Sequence, residues 1–296
     1  MIHRRISFVR HGLMLLAAAL LLCGCNKTDD TATLSVAVAD TPTDNATSVL
    51  VTFTGVELQG RSNVPVLYRF TAPKQVDLLQ EQEGDSAVLL NGVDLNAGNY
   101  QSLRLLVDMS QSSITLSDGS VHPLVIPPGD DPSGFTLMSD FSASSGDLLK
   151  LTVDFDLRQA IILASGDYLF RPSLRLIDDA NMGQISGIVA STLAIGGISI
   201  TSASCSAAAY VYAGDHVTPV DIDPAQAVQP VTTASITLDS VSGNYAYTVP
   251  FMIPKTYTIT LTCASGDNPG TPNALIFYPP RTVEVANDMT TEVDYP

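Results

Sequence analysis

Tryptophan is absent from this 296-residue chain, and histidine is nearly so. His3 and His11 lie at the extreme N-terminus, which leaves His122 and His216 for the rest. A serine or cysteine nucleophile activated by imidazole would need one of those two. His122 sits between Val121 and Pro123 beside a turn, and His216 ends Gly214-Asp215-His216; neither adjoins a nucleophile motif. The G-x-S-x-G, H-E-x-x-H, Walker and G-x-G-x-x-G patterns are missing. No catalytic residue and no cofactor is therefore assigned. Basic residues are also scarce, 14 Lys and Arg against 30 Asp and Glu. So acidic a surface repels DNA, RNA and anionic lipid headgroups, and nucleic acid is excluded as a partner. The apolar run Leu13–Leu22 holds only ten residues, whereas a membrane-spanning helix needs roughly 20.

That run has a different meaning in its context. Arg4, Arg5 and Arg10 precede it and Cys23-Gly24-Cys25 follows, the basic, apolar and small-residue order of an export signal. Leu22-Cys23-Gly24-Cys25 resembles the lipobox of bacterial lipoproteins, with Cys23 departing from the usual Ala, Ser or Thr. The resemblance implies cleavage after residue 24 and lipidation of Cys25. The alternative is an ordinary signal peptide with a chance cysteine. Asn26 after the lipidated position implies sorting to the outer membrane, facing the periplasm or the cell surface. Three basic residues leave with residues 1–24 and every acidic residue stays, so the mature chain carries 11 basic and 30 acidic groups, a formal charge of −19. Its membrane contact would come from lipid alone.

Residues 25–32 are short and polar, as a spacer would be. Strand signals dominate the rest. Leu34, Val36 and Val38 alternate with small or polar residues, as do Val49, Val51 and Phe53, then Leu103, Leu105 and Val107, then Leu149, Leu151, Val153 and Phe155. Asp118-Gly119 marks a hairpin. Helix is expected only around Leu78–Asn91 and Leu157–Leu163. The pattern predicts an all-β protein of two antiparallel β-sandwich domains. A boundary falls near Asp178–Gly183, giving domains at 33–178 and 183–296. Cys205 and Cys263 both fall in the second, on the inward faces of alternating runs, which predicts a disulfide between two packed sheets in an oxidising compartment; two buried free thiols are the alternative.

In the second domain, Gln184-Ile185-Ser186-Gly187-Ile188-Val189, Gly243-Asn244-Tyr245-Ala246-Tyr247 and Lys255-Thr256-Tyr257-Thr258-Ile259 resemble the small transthyretin-like sandwiches of the carboxypeptidase-regulatory type. In the first, the landmarks are Ala39-Asp40-Thr41-Pro42, Val51–Leu58, Val76-Asp77-Leu78-Leu79, Ala97-Gly98-Asn99-Tyr100, Asp154-Phe155-Asp156-Leu157-Arg158 and Arg171-Pro172-Ser173-Leu174-Arg175. Together they resemble a bacterial lipoprotein domain of unknown function. The resemblance implies a β-rich envelope module and supplies no ligand.

The last two of those motifs hold the candidate ligand-binding residues. Asp154 and Asp156 share one strand face, opposite Val153 and Phe155, while Arg171 and Arg175 share another. With Arg158 they form either a structural Asp–Arg network or a polar groove whose guanidinium forks recognise anionic groups. Asp130-Asp131, the trio Asp215, Asp221 and Asp223, and the pair Asp40 and Asp44 are candidate calcium ligands, but their spacing matches no calcium loop; no metal site is assigned. Tyr210 with Tyr212, and Tyr245 with Tyr247, offer either a sugar-stacking platform or cross-strand pairs. The leading reading is a lipid-anchored, non-enzymatic envelope module with a binding or structural role and a glycan or protein partner. The alternative is a hydrolase of envelope polymers using Asp154 or Asp156.

Overall fold

The alternation at Leu34, Val36 and Val38 produces a strand whose apolar series is fully buried. The computed structural model describes residues 30–41, 43, 46–61, 64–263 and 275–296. Cys25, the leader and most of the spacer lie outside the described residues, as does Asp44. The first strand, β1 (Thr31–Thr41), already starts inside the expected spacer. After it come β2 (Ala46–Gly60), β3 (Pro65–Asp77), β4 (Ala87–Asn96), β5 (Gly98–Val107), β6 (Ser113–Leu116), β7 (Val121–Val125), β8 (Gly134–Ala143) and β9 (Leu148–Asp156). One helical turn, α1 (Leu157–Ala160), leads to β10 (Ile161–Ala164), β11 (Asp167–Phe170) and β12 (Ser173–Asp178).

These strands form a four-stranded sheet in the order β12-β9-β1-β4 and an eight-stranded one, β10-β11-β7-β6-β2-β5-β8, with β3 also on β2. Their inner faces share one apolar core. Within it Phe53, Phe155, Phe170 and Phe135 form a chain of ring contacts with centroids 5.5–6.4 Å apart, so Phe155 pins β9 by one face. The Asp118-Gly119 hairpin joins β6 to β7 as expected, with Gly119 at φ +84°.

Both expected helices shrink to single turns. Leu78–Gln80 is a 3-10 turn capped by Asp77, and Asp156 caps α1. The residues after each turn pair instead with β1 and β11. Short apolar runs satisfy either period, and here the available strand edge decides. The sandwich is mainly antiparallel, but β1–β9 and β7–β11 are parallel. The run through Arg171 is not one strand. The chain leaves the eight-stranded sheet at Phe170, passes Arg171-Pro172, and enters the four-stranded sheet at Ser173.

The remaining strands are β13 (Gly183–Val189), β14 (Ala194–Ile195), β15 (Ile198–Ser199), β16 (Ala207–Ala213), β17 (Thr232–Ser235), β18 (Thr237–Leu238), β19 (Tyr245–Met252), β20 (Thr256–Cys263), β21 (Arg281–Glu284) and β22 (Thr290–Glu292). They build sheets β18-β19-β13-β22 and β17-β16-β20-β21, with β14-β15 a small hairpin, and they share no strand with the N-terminal half. Here too one pairing, β13–β22, is parallel. Gly187 of β13 explains its motif: a Cβ there would lie 2.0 Å from the Val293 carbonyl oxygen beside β22. Each half also ties a loop with a tyrosine hydroxyl donating to a carbonyl four residues upstream, Tyr100 to Asn96 and Tyr257 to Ile253, both at 2.8 Å.

The Cys205–Cys263 disulfide is present, with Cα atoms 4.7 Å apart. It does not join two packed sheets. Cys205 lies two residues before β16, and Cys263 ends β20 opposite Ala207, so the bridge ties neighbours of one sheet. Among the described residues no helix is long and apolar enough to cross a membrane.

Candidate functional site: the junction between the halves

With Val153 and Phe155 committed to the core, Asp154 and Asp156 project from the other face of β9, toward the C-terminal half. Arg175 stands opposite Asp154 on β12 and grips it with a fork, Nε at 3.0 Å and Nη2 at 2.6 Å from Oδ2. Its Nη1 donates to the Phe251 carbonyl in β19 at 3.2 Å. Asp156 accepts from the Gln159 backbone N–H at 3.1 Å and from its Nε2 at 2.8 Å. That same Nε2 reaches the Pro230 carbonyl at 3.2 Å, and Thr233 Oγ1 donates to Asp156 at 3.4 Å. Thr41 Oγ1 and Thr232 Oγ1 lie 3.2 Å apart across the same seam. Ala39, Ile177 and Phe251 form its apolar part. The Asp–Arg face is thus a polar weld between the halves.

Asp154 and Asp156 are each 2% exposed, and Arg158 is buried with them. Burial pushes the Asp154 carboxyl up to about 6, outweighing the opposing pull of Arg175. Burial likewise raises Asp156, against the hydrogen bonds from Gln159. Asp40, 1% exposed, is the extreme case, and among the described residues no group makes a well-formed hydrogen bond to either of its oxygens. Burial comes first, and the charges of Asp154 and Asp156 add to it, raising Asp40 well above the ordinary carboxyl value. The nearby backbone amides of Leu157 and Thr41 pull the other way without prevailing.

Beside the weld runs an open cleft of about 850 Å³. Its walls come from β8, from the Arg171–Leu176 stretch and from Val231, Ile253, Lys255 and Tyr257 of the C-terminal half. Arg171 does not join the buried cluster. It lines this cleft and donates through Nε to Asp130 at 2.8 Å. Neighbouring Asp131 pairs with Arg104, so both acids of that loop face arginines. Asp154, Asp156, Arg158 and Arg175 are therefore brought together at the junction, and Arg171 is set apart from them. Gln159, Thr232, Thr233 and Lys255 carry no site signal in the sequence, and Asp40 enters there only as a candidate calcium ligand. Asp40 had a signal: it continues the inward series of Leu34, Val36 and Val38, a carboxylate placed on a core-facing position.

The other candidates separate. Tyr210 and Tyr212 are fully buried, under Val217, Val220, Ile222 and Phe277. Tyr247 is buried too and donates to the Val293 carbonyl at 2.7 Å. Tyr245 is half-buried, so none of the four is fully exposed, and the pairs pack into the sheets instead of forming a flat stacking platform. Asp215 bonds Thr282 and His216, and Asp223 caps a turn through Ala225 and Gln226. His122 packs on Tyr168 beside Ser120. Among the described residues, no three His, Cys, Asp or Glu side chains converge as metal ligands.

The model of a family described as a domain of unknown function (DUF4382) matches residues 31–172. No curated protein matches the chain. Among solved structures, a candidate cell adhesion protein from Bacteroides fragilis is similar at 8% identity, over 89% of this chain and 92% of that one, with a TM-score of 0.21. The minor pilin of Streptococcus agalactiae is similar at 12% identity, over 89% and 94%, with a TM-score of 0.19. The fimbrial anchor protein Mfa2 from Porphyromonas gingivalis is similar at 6% identity, over 86% and 99%, with a TM-score of 0.21. Overlaps this loose leave function to be argued from the chain's own residues.

Proposed function

We propose that the protein is a lipid-anchored, non-enzymatic module of the bacterial cell envelope, held on the outer membrane through Cys25. In this reading residues 33–178 and 183–296 are two β-domains, the second transthyretin-like, and the cleft beside their weld receives a partner in the envelope. The observation that carries the reading is the division of the Asp–Arg face. Its carboxylates are shut inside the junction, where no polymer reaches them, while the cleft alongside stays open. A glycosidase needs two carboxyl groups facing each other across an accessible bond, and Asp154 and Asp156 are spent on holding the halves together. The basic-apolar-cysteine leader and the disulfide support an exported location.

Labelling of cells with a palmitate analogue tests the anchor. Wild-type protein should take up label and sediment with outer membranes, and Cys25→Ser should do neither. Equal labelling and sedimentation of the two would overturn the reading.

A further inference from the structure

The sheets of the N-terminal half end in five strands with an open side, and these are not equally defended. A bare strand edge is a template for another chain, and proteins block it with prolines, cations, short length or a covering group. β3 carries Pro65, Pro73, Arg69 and Lys74. β4 is covered from β3: Lys74 Nζ donates to the Val88 and Leu89 carbonyls at 3.2 and 2.9 Å, and the Tyr68 hydroxyl to the Asp94 carbonyl at 2.6 Å. β10 has only four residues. β12 has six, begins just after Pro172 and carries Arg175. β8 has ten residues, with no proline, lysine or arginine, and pairs only with β5; its bulge and its one charged residue, Asp140 (paired with Arg61), lie beyond Met138, away from the Gly134–Leu137 stretch. Among the described residues no side chain caps its outer carbonyls.

The bare edge faces the cleft along Gly134–Ser139. Met138 is 76% exposed there, and across the gap lie Ile253, 44% exposed, and the half-buried Leu174 and Leu176. The cleft is also the exception to the chain's charge. Arg171, Arg175 and Lys255 line it against Asp130 and Asp131, a local excess of positive charge on a chain of net charge −16. Lys255 has no carboxylate partner among the described residues; its Nζ rests over the Tyr257 ring at 5.1 Å.

The geometry points to strand addition: an extended acidic peptide segment of a partner protein pairs with the β8 edge and fills the cleft, its alternate apolar side chains over Met138, Leu174 and Ile253 and its carboxylates toward Lys255 and Arg171. This deepens, and rests on, the reading of the protein as a binding module. Backbone pairing would supply the affinity, and the alternating contacts with the cations would supply the choice of sequence.

Selection from a randomised ten-residue peptide display library on the exported chain tests it. Enriched peptides should alternate apolar residues, carry an acidic excess, and slow hydrogen exchange at alternate amides of β8. Met138→Glu, which puts a like charge on an exposed position of the edge, should abolish binding of acidic peptides with an unchanged melting temperature. Lys255→Glu should weaken acidic peptides by about tenfold, the loss expected from one interfacial ion pair. A selected peptide with its backbone amides methylated should not bind. No enrichment, binding without protection of β8, or peptides with no acidic preference would overturn the proposal. So would concentration-dependent self-association that Met138→Glu removes, which would make the occupant a second copy. A failure here leaves the palmitate result standing, so the two readings fail separately.

Discussion

Asp40 sits at the end of an inward series that is otherwise apolar, with two further buried aspartates nearby and, among the described residues, no well-formed hydrogen bond to either oxygen. The folded state holds a proton on such a group more tightly than the unfolded chain does. Its contribution to stability is therefore fully present below the ordinary carboxyl value of 3.8 and is lost as pH rises through the folded value. Asp154, raised to about 6, sets the window: the melting temperature should fall as pH climbs from about 4 to about 6 and beyond. Asp40→Asn should flatten that fall and raise the melting temperature near neutrality. A melting curve that rises over the same interval would contradict this. Arg175 works in the opposite sense. Removing it leaves Asp154 buried and unpaired, so Arg175→Ala should cost about 3–5 kcal/mol in denaturant titrations. An Asp–Arg network was legible from the two charged strand motifs, but not which arginine meets which aspartate, because that depends on β9 and β12 lying side by side. The burial of the pair was not legible either, because the group that covers it, Phe251 with its carbonyl, lies 76 residues further along the chain.

At the scale of elements, strands were readable wherever one face met the core and the other met solvent, as in β1. The pattern failed where both faces are covered. In β16, Ala209 and Val211 face one cluster while Tyr210 and Tyr212 face another, so alternation separated two interiors, not inside from outside. Tyr210 and Tyr212 share a face, as the alternation predicts, and that face is the second interior. Gly187 belongs to this scale as well. Gly187→Ala would drive a methyl into the Val293 carbonyl, and since backbone cannot yield as a side chain does, the variant should lose several kcal/mol, about the scale of other overpacked sites. The disulfide closes a separation of 58 residues. In the chain-entropy picture its removal by paired Cys205→Ser and Cys263→Ser should cost about 4 kcal/mol, read as a lower denaturation midpoint. An unchanged midpoint would mean the unfolded chain is already constrained there.

For the whole molecule, the sequence pattern located two β-rich stretches and the interruption between them, while the order of strands in each sheet was beyond it. That order depends on long-range pairings such as β1 with β9, which no local period records. The junction depends on it too, since Asp154 meets Arg175 only because β9 and β12 are neighbours. If the weld holds the halves together, Arg175→Ala should make the Asp178–Gly183 link sensitive to protease at concentrations that leave wild-type protein intact. Identical digestion of the two would show that the remaining contacts suffice.

β1 lies inside its sheet, flanked by β9 on one side and β4 on the other. Any pull from a tether upstream of Thr31 reaches this strand first and acts along its length. Such a load is resisted by all the hydrogen bonds on both flanks at once, in shear, and cannot open them one at a time as it would on a peripheral hairpin. The same placement that gives β1 its buried side chains makes it a mechanical footing, so that a drag on the envelope surface would be borne by the middle of a sheet.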